Sequence, residues 1–104
     1  MAVQVTMYVS ESDKWQHRPL HLAVLQFLRK ENVAGATVLH AVAGFTGRGN
    51  VITSSLIDAE SNLPVVITFV DAEEHVARVL PTLKEMASHR LIVSEHVELV
   101  QGLD

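Results

Sequence analysis

The chain has 104 residues, 48% hydrophobic and 19% charged, with a formal net charge of −4 and no cysteine. This balance excludes the cationic footprint of a general nucleic-acid binder, and the missing cysteine excludes a disulfide framework, a thiolate metal site and a cysteine nucleophile. Residues 1–104 read as one domain with a real core, and the shortage of charge for so small a chain points to surface covered by other subunits.

Val3, Val5, Met7 and Val9 alternate with polar or smaller partners, the period of two of a strand with one buried face. Ser10 to Arg18 is polar around one tryptophan and reads as a connecting loop. Pro19 suits the first turn of a helix, and Leu20, Val24, Phe27 and Leu28 form a stripe that ends near Asn32. From Ala36 to about Ala43 a second strand is apolar on both faces, which predicts cover on both sides. Gly44 to Asn62 lacks helical periodicity and holds one short β-prone piece, Val51-Ile52-Thr53. Loops of that length within a compact domain are usually functional or mobile.

Pro64 opens a third strand through Val70, and Asp71 with Glu74 has the spacing of a capping box. The second helix carries Val76, Val79, Leu80, Leu83 and Ala87 on one face, and Pro81 predicts a kink or a shortened helix. Leu91, Val93, Val97 and Leu99 supply the last strand, and Gln101 to Asp104 a frayed end. The order strand, helix, strand, strand, helix, strand predicts an α+β, ferredoxin-like βαββαβ subunit: a four-stranded antiparallel sheet with both helices on one face. The other face, expected to carry Tyr8, Val66, Val70, Ile92 and either Leu39 or Val38, needs a lid, and another copy of the same sheet is the economical one. A trimer or a dimer follows.

The strand at Ala36 breaks into three glycines, Gly44, Gly47 and Gly49, around Arg48. Glycines let a backbone approach a ligand, and arginine adds a planar cation suited to phosphate or carboxylate. The pattern is not a phosphate loop, since no lysine and no helix follow. Six histidines invite a metal, but His17/His21 straddle Pro19, His89/His96 are an odd number apart, and neither pair resembles a closed zinc pattern. His40 interrupts an apolar strand, as a hydrogen-bonded core or interface histidine or as a ligand contact at a subunit boundary. Ser54-Ser55 has no base placed beside it, Asp58 and Glu60 read as a solvated face, and no catalytic motif is present. No stretch reaches the roughly 18 apolar residues of a spanning helix, and Met-Ala-Val-Gln-Val-Thr has no basic region before an apolar one. The expectation is a soluble, cytoplasmic protein without direct membrane insertion.

Taken together, Gly35-Ala36-Thr37-Val38, Gly44-Phe45 and Arg48-Gly49 resemble the PII signalling proteins at a strand and at the root of their mobile T-loop. The chain resembles still more closely a short bacterial PII-like group catalogued as a domain of unknown function, in Tyr8-Val9-Ser10-Glu11, Pro19-Leu20, Ala43-Gly44-Phe45-Thr46-Gly47, Leu63-Pro64-Val65-Val66-Ile67 and Leu80-Pro81. The resemblance implies a homotrimer with adenine nucleotides between adjacent subunits. It would put Thr37, Gly44, Phe45, Gly47 and Arg48 at such a cleft, with Arg90 as a second phosphate contact, and His40, read from its place in the strand, joins them as a nucleotide contact. It also implies a T-loop at about residues 46–62, whose Asn50, Val51, Ile52, Thr53, Ser54 and Ser55 would meet a partner protein, a transporter or an enzyme. Bicarbonate or ion transport is the implied setting. Where the main PII branch has a glycine- and lysine-rich loop, this chain has Glu85-Met86-Ala87-Ser88-His89-Arg90, which points to AMP or ADP rather than ATP, as a regulatory ligand and not an obligatory cofactor. Tyr8 is the one tyrosine, so the loop has none to uridylylate. Two rivals remain: a metal-associated trimer resembling the CutA proteins, and a small ferredoxin-fold enzyme using His40 and Arg48.

Overall fold

The computed structural model describes residues 1–47, 51–53 and 62–103. In chain order the elements are β1 (Ala2–Ser10), β2 (Lys14–Trp15), β3 (Arg18–Pro19), α1 (Leu20–Lys30), β4 (Ala36–His40), β5 (Ala43–Gly44), β6 (Ile52–Thr53), β7 (Pro64–Ala72), α2 (Glu73–Met86) and β8 (Leu91–Val97). The main sheet is four-stranded, in the order β4-β7-β1-β8, and each neighbouring pair is antiparallel. This is the ferredoxin-like arrangement expected from the alternation of patterns.

One face of the sheet and one stripe of each helix make the core. Val3, Val5, Met7 and Val9 of β1 join Val65, Ile67 and Phe69 of β7, Leu20, Ala23, Val24 and Leu28 of α1, and Val76, Val79, Leu83 and Met86 of α2. Val5, Met7, Val9, Val24, Val65, Ile67, Val79 and Leu83 are wholly buried. Burial of such a side chain stabilises the fold by about 1.5–3 kcal/mol.

The opposite face is open. Register places Leu39, Val66, Tyr8 and Leu91 in one row across all four strands, with Thr37, Thr68, Thr6 and Val93 in the next. Leu39 is 58% exposed, Leu91 70%, Val93 48% and Tyr8 41%. Tyr8, Val66 and Val70 thus lie where the sequence pattern put them. Ile92 does not: it pairs with Met7, on the helix-covered face, and Leu91 and Val93 take its place outside. Of the two β4 candidates, Leu39 faces out while Val38, opposite Ile67, packs against the core. Within the subunit β4 is therefore an edge strand with an exposed outer side, not one covered on both.

Other departures have local causes. The expected loop before α1 contains a hairpin, β2 with β3, in which Trp15 pairs with Arg18. Its two connecting residues, Gln16 and His17, both have positive φ, the backbone of a type I′ turn, which matches strand twist. β4 ends at His40, short of Ala43, because its partner β7 opens at Pro64, which has no N–H to extend the ladder; a final bond runs from Ala41 N–H to the Pro64 carbonyl at 2.9 Å. The last strand stops at Val97 and leaves Leu99 outside it. α2 passes through Pro81 without being shortened and reaches Met86.

Asp71 is not the helix cap. Ala72 holds that position without a side-chain hydrogen bond, so the capping box does not form. Asp71 sits on the buried side of β7, 6% exposed, where its carboxylate accepts the backbone N–H groups of Ala34 at 3.0 Å and Ala72 at 2.6 Å and meets His75 Nδ1 at 3.1 Å. It clamps the α1–β4 connection to the start of α2. At the other end of that connection, α1 closes in a Schellman motif: Asn32, with φ of 63°, donates to the Arg29 carbonyl and Val33 donates to that of Leu28, each at 3.1 Å.

Candidate functional site

Where the turn after β5 crosses the start of β8, Tyr8, Phe45, Thr46, Gly47, Pro64, His89, Arg90 and Leu91 line an open cavity of about 580 Å³. Three local facts build it. Gly44 has φ of 149°, and a Cβ there would stand 3.0 Å from Pro64 Cγ, so only glycine lets the turn pass over the head of β7. Gly47, at φ of 61°, holds its backbone over Arg90, whose Nη1 would lie 3.5 Å from a Cβ added at Gly47. His89, at φ of 71°, brings the chain out of the end of α2 and sets Arg90 at the first step before β8.

The Arg90 guanidinium is held in place by Asp13. Nε donates to Asp13 Oδ2 at 2.7 Å and Nη2 to Oδ1 at 2.6 Å, a two-point fork. That bond keeps the guanidinium protonated even more firmly than usual. Asp13 is itself anchored: its carboxylate accepts the Ser10 N–H at 2.9 Å, its own N–H donates to the Ser10 carbonyl at 3.0 Å, and its carbonyl accepts the Leu20 N–H at 2.8 Å. Arg90 and His89 also line a second cavity, of about 540 Å³, with Asp13, Lys14, Trp15, Glu85 and their neighbours.

The cavity therefore offers an aromatic side, Phe45 and Tyr8, and a polar side, the Gly47 backbone and Arg90. Phe45 is 59% exposed, unusual for a phenylalanine without something to cover it. A flat ring suits the first side, and an anionic oxygen suits the second.

Of the residues expected at a ligand cleft, Phe45, Gly47 and Arg90 line this cavity and Gly44 abuts its wall at Pro64. Thr37 and His40 do not line it. Thr37 lies on the open face of the sheet opposite Thr68, and His40 points to the helix side opposite Val65. There His40 Nδ1 meets Glu11 Oε2 at 3.1 Å and its ring stands edge-on to that of His21, centroids 5.3 Å apart. Burial, and secondarily the charge of His40, hold the His21 imidazole below the usual histidine range, with Glu11 partly opposing them. His21 Nδ1 is buried and has no hydrogen-bond partner among the described residues. Arg48, Asn50, Ser54 and Ser55 lie outside the described residues; Val51 is exposed, and Ile52 and Thr53 form β6 against Ala43 and Gly44. Tyr8 was legible only as part of an apolar face, and Asp13 carried no sequence signal at all, since its partner is 77 residues away.

Among the described residues, no group of three or more His, Asp or Glu side chains is arranged to hold a metal ion, and no helix is long and apolar enough to cross a membrane.

Residues 2–99 match the protein family DUF190, described as Uncharacterized ACR, COG1993. UPF0166 protein MJ1524 of Methanocaldococcus jannaschii is 33% identical over 97 residues, 92% of this chain and 89% of that protein. Among solved structures, the chain is similar to CPII, a nitrogen regulatory PII-like protein from Thiomonas intermedia K12 bound to ADP, AMP and bicarbonate, with a TM-score of 0.69, 16% identity and coverage of 96% of this chain and 89% of that one. It is also similar to CutA from Xylella fastidiosa, with a TM-score of 0.65, 12% identity and coverage of 96% and 86%. At such identities the likeness is one of fold.

Proposed function

The chain belongs to the DUF190 family and has the PII-like fold, and from that premise we propose that it is a non-enzymatic regulatory protein that binds an adenine nucleotide, AMP or ADP in preference to ATP, at the cavity between Phe45 and Arg90. The observation that carries this reading is the pairing of an exposed aromatic ring with a fixed guanidinium across one cavity, at a turn whose two glycines leave its backbone open. The base stacks on Phe45 and Tyr8, and the phosphate takes the Gly47 side and Arg90. Arg48, next in the chain, supplies a further cation. That CPII, a protein of the same fold, is bound to ADP, AMP and bicarbonate lends support.

The subunits associate as a homotrimer through the open sheet face, so that each cavity is completed by a neighbour; the apolar row Leu39, Val66, Tyr8 and Leu91 supports this. Residues 46–62 act as a T-loop that meets a partner protein, a transporter of inorganic carbon or ions being the favoured kind, in the cytoplasm. Thr37 and His40 reach a ligand only if the neighbouring subunit brings it to them.

Isothermal titration calorimetry of the purified protein against AMP, ADP, ATP and cyclic AMP, with and without bicarbonate and magnesium, tests the reading. Micromolar binding with one site per subunit is expected. Absence of binding to all four overturns it.

A further inference from the structure

Among the described residues that line the cavity, Arg90 alone carries a permanent charge, and that charge is already matched. Asp13 takes one N–H each from Nε and Nη2, which leaves to other partners both N–H groups of Nη1, beneath Gly47, and the second of Nη2. A free guanidinium clamps a phosphate by two parallel bonds. This one keeps that fork only at its Nη1–Nη2 edge, and there with its charge offset by Asp13. Nor can Asp13 swing away when a ligand arrives, because its backbone is tied at both N–H and C=O and its carboxylate also holds the Ser10 N–H. Asp13 is absent from the lining of the cavity and lines the second one together with Lys14 and Glu85, whose charges offset each other.

We propose that Asp13 is a positioning residue that sets the charge selectivity of the cavity: by holding Arg90 and offsetting its charge, it selects an aromatic ligand with one phosphoryl group over one with a phosphate chain. The inference rests on the nucleotide reading above and adds to it a residue and a rule. A monophosphate brings the least negative charge to a guanidinium whose own charge Asp13 already offsets. Each further phosphate brings about one more negative charge toward a fixed carboxylate. At a separation of roughly 8 Å and an effective dielectric between that of the protein surface and that of water, the added repulsion amounts to a factor of about 3 to 10 in affinity.

The test is a comparison within each variant. AMP, ADP and ATP are titrated into the wild-type protein and into Asp13→Asn, Asp13→Ala and Asp13→Glu at about 0.1 M salt, where charges within roughly 10 Å still interact. In Asp13→Asn and Asp13→Ala the affinity ratio of ATP to AMP is expected to rise about threefold to tenfold over wild type. In Asp13→Glu, which keeps the charge, the ratio stays at the wild-type value whatever happens to absolute affinity. Because the readout is a ratio, a loss of stability common to all three ligands cancels, and two neutral variants guard against one that fails to fold. Equal weakening of all three ligands means that Asp13 only supports the fold and overturns the proposal, as does an unchanged ratio. If the wild-type protein binds none of the three, the nucleotide reading itself has failed, and the wild-type titration distinguishes that outcome.

Discussion

The two faces of the sheet are built from the same strands by the same alternation, yet one is complete within the subunit and the other is not. On the helix side, Val5, Met7 and Ile67 meet α1 and α2 and lose all contact with solvent. On the other, Leu39, Tyr8 and Leu91 stand in register and remain exposed. The helix side is a matter of intrachain packing, so damage there reads out as folding. The open side has no covering element among the described residues, so damage there should read out as assembly, and the cavity at its upper edge as binding.

The largest expected effect lies on the covered face. Leu83→Ala removes a wholly buried side chain between α2 and the sheet and should destabilise the protein by about 2–5 kcal/mol, seen as a lower denaturation midpoint at unchanged slope. Val66→Asp, one strand position from the wholly buried Val65 but on the other face, should instead dissociate the oligomer in sedimentation, because it places an unpaired charge where the row of apolar side chains is proposed to be covered. A normal oligomer from that variant would erase the contrast between the faces. Smaller again, Arg48→Ala should leave the oligomer intact and weaken nucleotide binding by about 1.5–3 kcal/mol in calorimetry, the range of a hydrogen bond to a charged group. Unchanged affinity would remove Arg48 from the site.

The smallest effect concerns pH. The His21 imidazole, held below its ordinary value of 6.5 by burial, takes up a proton less readily folded than unfolded. Its contribution to stability is therefore full above about pH 6.5 and is lost as pH falls toward its depressed folded value. Melting temperatures between pH 7.5 and 5 should show a shallower acid-side decline in His21→Gln than in the wild-type protein. Parallel curves would mean that the imidazole does not couple to folding.

Much of this architecture could be read from the chain because periodicity carries it. β1 and β7 alternate cleanly, and α1 and α2 keep their stripes, so the topology and the covered face follow. β8 was harder, because Leu91, Ile92 and Val93 are apolar at both parities and only pairing with Tyr8, Met7 and Thr6 decides which point inward. The hairpin at Trp15 was invisible since Gln16-His17 lacks the glycine or asparagine that usually marks a type I′ turn. Asp71 has the spacing of a cap, but a backbone N–H from Ala34, 37 residues earlier, competes for its carboxylate. At the candidate site, the glycines announced themselves by composition, and Phe45 through the resemblance to PII proteins. The fork between Asp13 and Arg90 could not, being a contact of tertiary structure alone.

That fork has a neighbour with a use of its own. Trp15, the one tryptophan of the chain, lines the second cavity with Asp13 and Arg90. Its indole is thus a native optical probe in the cavity that adjoins the proposed site through Arg90. Emission that shifts when nucleotide is added would show the ion pair relaying occupancy from one cavity to the other. Steady emission would show Asp13 and Arg90 acting as a rigid partition.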